Sequence, residues 1–374
     1  MRNGIAFFRL RNRKQENVSG IRAGAPKCPL QKDKTKGKAE NAVKTTIRDI
    51  ANQLGVSAST VSKVINGKGS ISPELRQKVL AVVEAANYQP NLNAKSLRTR
   101  TTNTIGVILP DITNLFYCYL MKGIEAKCQE ENFSVLVGTC NFNYQREKEY
   151  FDLFRSKNVT GVIIASLGDM RRFHHDSAMV ATINEQNEAE RLSDWVSINN
   201  EAAARDLTQY LLNLGHRNVI FVNSGQRDTV SQFRQLGFTR CMEENGLTAR
   251  EDQIFEGGLF FEDGYEAGRR IILGAHLPTL VICHNNTIAY GVSKAFRDAG
   301  YRVPDDISIA CFDAINQGDM YGTQFTCVMQ PVERIGREAA ELLIRKSRGD
   351  IPEGQFVKKI VPYKLVFGNS VKKL

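Results

Sequence analysis

Residues 56–67, VSASTVSKVING, make one short segment with two opposed faces. Val61, Val64 and Ile65 recur at i, i+3 and i+4 and predict an apolar stripe. Ser59, Ser62, Lys63 and Asn66 recur at i, i+3, i+4 and i+7 and predict a polar one. In isolation such a polar stripe is a solvated surface. Its neighbours change the reading. Upstream, Thr46 with Asp49 three residues on forms a capping signature for a helix that turns Ile47, Ile50, Ala51 and Leu54 inward and stops at Gly55. Downstream, SPELRQKVLAVVEAANY predicts a helix capped by Ser72, opened by Pro73 and Glu74, and buried along Leu75, Val79, Val82, Val83 and Ala86. Two helices joined across LGVS, followed by a third, give a compact helix-turn-helix unit over residues 43–90 whose second helix is free to enter a DNA major groove.

On that second helix Ser57 is the cap, and small Ala58 and Ser59 permit close approach to base edges. Thr60 and Asn66 can hold phosphates, and Lys63 can reach guanine O6/N7. The basic link that follows, residues 91–102, carries Asn91, Ala94, Lys95, Leu97 and Arg98 and no apolar core of its own. It reads either as an ordinary linker or as a segment that turns helical on DNA, with Leu97 a wedge between base steps and the adjacent cations in the minor groove.

From Ile105 the pattern becomes alternating strands and helices: TIGVILP, NLFYCYLMKGIEAKCQEEN, FSVLVGTC, QREKEYFDLFRSKN and VTGVIIAS. A second run passes through LTQYLLNLGHRNVIFVNS, FRQLGFTRCMEENGL, TLVICHN and IAYGVSKAFRDAG to ISIACFD. Such alternation predicts two doubly wound parallel α/β lobes over residues 103–374, with ligands collecting between them at the carboxyl ends of the strands. The expected division is lobe 1 at about 103–199 plus 328–350 and lobe 2 at about 200–327 plus the C-terminal strands.

The net charge of +10 is concentrated at the N-terminus, where residues 1–42 hold eleven Lys and Arg against three Asp and Glu. That segment has no helical or strand periodicity and is expected to be a disordered extension. There is no methionine between Met1 and Met121, and VKTTIRDIA at Val43 reads as a natural opening that a GUG codon can supply, so a start at Val43 is the alternative. Eight dispersed cysteines, with no C-x-x-C pair, predict reduced thiols filling core space and neither disulfides nor zinc. No apolar run approaches a membrane span or a signal-peptide core, so a cytoplasmic chain is expected. No G-x-G-x-x-G after a strand, P-loop or G-x-S-x-G is present, and His174-His175-Asp176 lacks a matched metal partner. An enzyme, a cofactor and a resident metal are therefore not expected.

Taken together, TIRDIANQLGVSASTVSKVING, YQPNLNAKSLRT, IGVILPDITNLFY, LGHRNVIFV, RQLGF, VPDDISIACFD and MQP, in that order, resemble the lactose-repressor-like (LacI/GalR) family of bacterial transcription regulators, over essentially all of the chain from Val43 onward. The resemblance implies a homodimer whose paired reading heads bind a pseudo-palindromic operator, while a two-lobed effector domain, similar in fold to periplasmic sugar-binding proteins, closes on a small molecule and so orders or releases the hinge helices. It implies base reading by Ser59 and Lys63, phosphate contacts by Thr60 and Asn66, and a hinge-helix role for Leu97. It also places candidate effector contacts at Asp111, Asn114, Phe116, Tyr117, Arg227, Arg234, Phe260, Asn286 and Asp313. Aromatic faces suit the apolar side of a sugar ring, a guanidinium suits oxygens or a carboxylate, and a carboxylate suits hydroxyl donors. One departure bears on the ligand: sugar-binding relatives often have Asn-Asp where this chain has Asn285-Asn286. With Arg234 retained and Arg227 nearby, a sugar acid or sugar phosphate is expected in preference to a neutral sugar. The chain ends without a heptad tail, so a dimer is expected over a tetramer.

Overall fold

The computed structural model describes residues 45–65, 67, 69–88, 102–165, 180–183, 193–225, 229–313, 323–352 and 354–374. It resolves into two compact units, residues 1–90 and 91–374, each taken by itself below.

In the first unit the local signals set the helix ends. Helix α1 (Ile47–Leu54) opens with a reciprocal cap: the Asp49 N–H donates to Thr46 Oγ1 at 3.3 Å, and the Thr46 N–H donates to Asp49 Oδ2 at 2.8 Å. These bonds from Thr46 hold the Asp49 carboxyl below its ordinary value. Gly55 closes α1 at φ 62°, a left-handed conformation that glycine adopts without a Cβ clash. Helix α2 (Ala58–Ile65) and helix α3 (Pro73–Ala85, with Ser72 Oγ accepting from the Leu75 N–H) complete the head. Ile50, Ala51, Val61, Val64 and Val79 form its buried centre, ringed by Leu54, Leu75, Val82, Val83 and Tyr88. Ala86, expected inside the third helix, is its C-cap.

The second unit holds two six-stranded sheets. Lobe 1 comprises β1 (Thr104–Leu109), α4 (Leu115–Glu130), β2 (Ser134–Thr139), α5 (Tyr144–Ser156), β3 (Gly161–Ile164), β4 (Val180–Ile183) and β5 (Asp194–Ser197). Lobe 2 comprises α6 (Asn200–Asn213), β6 (Val219–Asn223), α7 (Thr229–Glu244), β7 (Ile254–Glu256), α8 (Phe261–Ile272), β8 (Leu280–Cys283), α9 (Asn286–Asp298), β9 (Ser308–Phe312) and β10 (Thr326–Met329). The chain then returns to lobe 1 as α10 (Val332–Ser347) and ends in β11 (Lys358–Ile360) and β12 (Lys364–Val366). The sheet orders are β11-β5-β4-β3-β1-β2 and β12-β10-β9-β8-β6-β7. Every pairing is parallel except β10 with β12, and Val107, for example, sits level with Val137 and Ile163. Central strands such as GVII and VATI are buried on both faces, as parallel strands between helical layers must be.

The expected lobe division needs one correction. The two C-terminal strands do not both join lobe 2: β11 pairs with β5 in the lobe 1 sheet, and only β12 joins lobe 2. The chain therefore crosses between lobes three times, at residues 197–200, 329–332 and 360–364. Helix α10 packs on α4 at the closest approach that backbone permits, since a Cβ at Gly123 would collide with the Glu333 carbonyl.

Six of the seven cysteines among the described residues are buried, and Cys118 is exposed; all seven are free thiols. Cys283, Cys311 and Cys327 stand level on β8, β9 and β10, where burial pushes the Cys311 thiol well up and keeps it inert. Among the described residues no helix is long and apolar enough to cross a membrane, and no cluster of His, Cys, Asp and Glu could hold a metal ion. His174-His175-Asp176 lies outside the described residues.

Candidate DNA-reading helix and effector cleft

Helix α2 keeps the two faces its sequence implies. Val61 and Val64 are buried, whereas Ser59 and Lys63 are exposed and Thr60 and Ala58 are half-buried. The Thr60 N–H donates to Ser57 Oγ at 3.1 Å, so Ser57 acts as the N-terminal cap. The same hydroxyl lies 2.7 Å from Ser59 Oγ and 2.9 Å from Thr60 Oγ1. Three hydroxyls thus form one connected cluster at the first turn, with the Lys63 amine one turn further along the helix. Asn66, Asn91, Ala94, Lys95, Leu97 and Arg98 lie outside the described residues.

Between the lobes is a cleft of about 340 Å³ lined from both sides. Eight of the nine expected effector contacts face it: Asp111, Asn114, Phe116 and Tyr117 from lobe 1, and Arg234, Phe260, Asn286 and Asp313 from lobe 2. The ninth, Arg227, lies outside the described residues. The reason they converge is topological. Asp111, Asn285 and Asp313 follow the carboxyl ends of β1, β8 and β9, and α4 and α9, which come after the first two, present their N-termini to the same space. Asn114 and Asn285 cap α4 and α9 by accepting from the Phe116 and Ile288 N–H groups at 2.9 and 2.8 Å. Asp111 is folded into a local turn in which the Thr113 N–H donates to Oδ1 at 2.8 Å.

The floor of the cleft is a buried polar chain. Arg234, 1% exposed, donates through Nε to Asn200 Oδ1 at 3.0 Å and through one terminal nitrogen to the His284 carbonyl at 2.5 Å and Asp313 Oδ2 at 3.1 Å. Its guanidinium lies 4.1 Å from the centroid of the Phe312 ring. Gln330 Nε2 donates to the other oxygen of Asp313 at 2.5 Å. Asp313 itself adopts φ 64°, a left-handed conformation that aims its carboxylate back at Arg234. Burial, and then the charge of Arg234, push His284 well below its ordinary value, so its imidazole is neutral. The walls are aromatic: Phe116 and Tyr117 meet edge to face at 5.3 Å and 85°, and Phe142 from lobe 1 meets Phe260 from lobe 2 at 5.2 Å and 82°. Among the described residues the cleft shows no paired nucleophile and base; its aromatic walls and convergent polar groups are those of a ligand pocket.

Comparison with known proteins places this geometry. Residues 46–91 match the pattern of bacterial regulatory proteins of the lacI family, and residues 208–371 match a periplasmic binding protein-like domain. The chain is 31% identical over 336 residues to catabolite control protein A of Priestia megaterium, covering 87% of this chain and 99% of that one. The chain belongs to the LacI family. It is accordingly a DNA-binding transcriptional regulator, not an enzyme. In fold it is similar to the lac repressor dimer bound to operator and the anti-inducer ONPF, with a TM-score of 0.78 at 22% identity over 88% of this chain and 99% of that one. It is also similar to the CelR–cellobiose complex, with a TM-score of 0.66 at 23% identity over 87% and 99%.

In this LacI-family chain sequence reasoning missed Phe142, His284, Asn200 and Gln330. His284 precedes the Asn285-Asn286 pair and Gln330 sits inside the MQP motif, so both were within motifs already recognised. Phe142 and Asn200 had no such signal, because the first meets the cleft through a loop and the second, buried at a crossover, only supports Arg234.

Proposed function

We propose that this regulator is a homodimeric repressor of carbohydrate-utilisation genes whose effector is a small neutral sugar of one or two rings held in the interlobe cleft. One observation carries the ligand class: among the described lining residues the one Lys or Arg, Arg234, is already paired with Asp313 inside the protein. The remaining charged groups among the described lining residues are the carboxylates of Asp111 and Glu262. An anion would meet more negative than positive charge among these described residues, whereas sugar hydroxyls can donate to carboxylates and accept from amides, with the ring's apolar face on Phe116, Tyr117 or Phe260. The CelR–cellobiose complex, a protein of the same fold, supports a carbohydrate ligand. This reverses the weight that the sequence alone gave to a sugar acid. The feature that still favours an acid or a phosphorylated sugar is the convergence of the N-termini of α4, α8 and α9, whose dipoles attract anions.

On DNA, Ser59 and Lys63 read bases with small Ala58 allowing close approach to their edges, Thr60 and Asn66 hold phosphates, Ser57 caps the reading helix, and residues 91–102 form a hinge helix. In it Leu97 wedges a central base step of a pseudo-palindromic operator while Asn91, Ala94, Lys95 and Arg98 line the minor groove. The site of action is the bacterial cytoplasm, at the nucleoid. Isothermal calorimetry on the full chain tests the ligand class directly, with neutral mono- and disaccharides titrated beside uronic acids, keto-sugar acids and sugar phosphates. Binding by the neutral set alone is expected; binding by the acids with the neutral sugars inert would overturn the reading.

A further inference from the structure

The β2–α5 loop contains two consecutive residues in the left-handed region, Asn141 at φ 50° and Phe142 at φ 55°. Asparagine tolerates that conformation, but an aromatic residue does not adopt it without strain, and such strain persists only where surrounding contacts hold it. The contact here is with the other lobe. The Phe142 ring, half-buried at the cleft, packs edge to face on Phe260, which stands at the N-cap of α8 and is 45% exposed. Phe260 is fixed in turn, because Asp263 Oδ2 accepts from the backbone N–H groups of both Leu259 and Phe260 at 3.1 and 3.0 Å. Two rings from segments far apart in sequence, one on a strained loop and one on a fixed helix cap, therefore meet across the cleft between the lobes.

We propose that Phe142 is a specificity-determining residue which, with Phe260, forms an aromatic clasp closing one end of the cleft and limiting the ligand to what fits behind the two rings. The inference rests on the cleft being the effector site. An edge-to-face pair contributes modestly, so parting the rings is within reach of thermal motion and of an entering ligand. A compact ring-bearing molecule is retained behind the pair, and a longer chain cannot pass without holding the rings apart.

The test uses the full chain with Cys28 and Cys118 replaced by serine and spin labels at Lys148→Cys on α5 and Glu266→Cys on α8, both exposed positions on opposite lobes. Without ligand, Phe142→Ala and Phe260→Ala should each raise the population of long interlobe distances roughly 2- to 10-fold. The double variant should add nothing further, and Phe142→Tyr should keep the parental distribution. An unchanged distribution in Phe142→Ala, or additive effects in the double variant, overturns the clasp. Calorimetry with glucose, cellobiose and cellotriose reads the size limit. The parent should reject the trisaccharide and Phe142→Ala should accept it; equal trisaccharide binding by both overturns the filter. If none of the three sugars binds either protein, it is the carbohydrate reading that fails, and the spin-label distances still decide the clasp.

Discussion

Replacing Arg234 by alanine removes the centre of the cleft floor, and the magnitude can be worked from its partners. The guanidinium donates three hydrogen bonds, to Asn200, the His284 carbonyl and Asp313, in a site where it is 1% exposed. Deleting one partner of a buried ion pair costs about 3–5 kcal/mol, chiefly because the other is left uncompensated. Asp313 is not wholly stranded: Gln330 still donates to it, and its side chain is 11% exposed. The loss of the guanidinium over Phe312 and the two orphaned acceptors push the other way. A destabilisation of about 3–4 kcal/mol is expected, against roughly 1–2 kcal/mol for Arg234→Lys, which keeps the charge and loses the fork. The chain has one tryptophan, Trp195 in β5, so its fluorescence during urea unfolding reports the effector unit. The Arg234→Ala/Asp313→Ala double variant should lose less than the sum of the two single variants, by at least about 1 kcal/mol. A loss below about 1 kcal/mol in Arg234→Ala at unchanged urea slope, or a strictly additive cycle, would refute the buried-pair argument.

Lys63→Ala should relax sequence choice at one operator position by about 1–3 kcal/mol, read by selecting bound sites from a random DNA library. Leu97→Ala should weaken specific operator binding while leaving the non-specific, salt-sensitive component nearly intact; equal losses on both kinds of DNA in titrations would count against the wedge. The effector unit should also be acid-sensitive through two histidines kept neutral by burial. His216 lies 3.0 Å from both Thr279 Oγ1 and the Lys372 carbonyl, and, like His284, is pushed below its ordinary value of 6.5. Below pH 6.5 the unfolded chain binds protons that the native one does not, so stability is full above that pH and falls as pH drops under it. Urea midpoints at pH 7.5 and 5.5, compared with those of His216→Gln and His284→Gln, check the sign, and a midpoint that rises on acidification would contradict it.

The legible parts of this protein were those whose causes are local. Thr46 with Asp49, Gly55, and Ser72 with Pro73 mark helix ends through bonds that span only a few residues, and the head could be read from them. The strand runs were legible because a parallel strand buried on both faces needs a continuous apolar stretch. The site was legible to the extent that family motifs lie at strand ends: Asp111, Asn286 and Asp313 stand there, and the topology brings them to one cleft. What escaped depends on contacts between distant segments. Nothing in KKI or KLV says which sheet a three-residue strand will join, so β11 was misplaced. The pairing of Arg234 was hidden for the same reason, because it reads as a free cation until its bond to a residue 79 positions away is known. Phe142 was invisible because its role is fixed by a backbone conformation that its own side chain disfavours.

If the cleft holds the effector as proposed, the buried chain on its floor gives occupancy a route to the lobes' relative orientation. Arg234 holds Asn200 at the first crossover, where Asn200 Nδ2 also donates to Ser197 Oγ at 3.3 Å, and Asp313 holds Gln330 at the second. The ion pair therefore touches two of the three segments about which the lobes can rotate. A ligand hydroxyl that donates to Asp313 competes with Gln330 or Arg234 for the carboxylate, and a hydrogen bond to a charged group is worth about 1.5–3 kcal/mol. That is the magnitude of a typical allosteric coupling free energy, about 1–3 kcal/mol, so exchanging one such bond suffices and no long relay is needed. The coupling is reciprocal: a crossover geometry that strengthens the Gln330–Asp313 bond must weaken any ligand that needs the same oxygen, by the same factor.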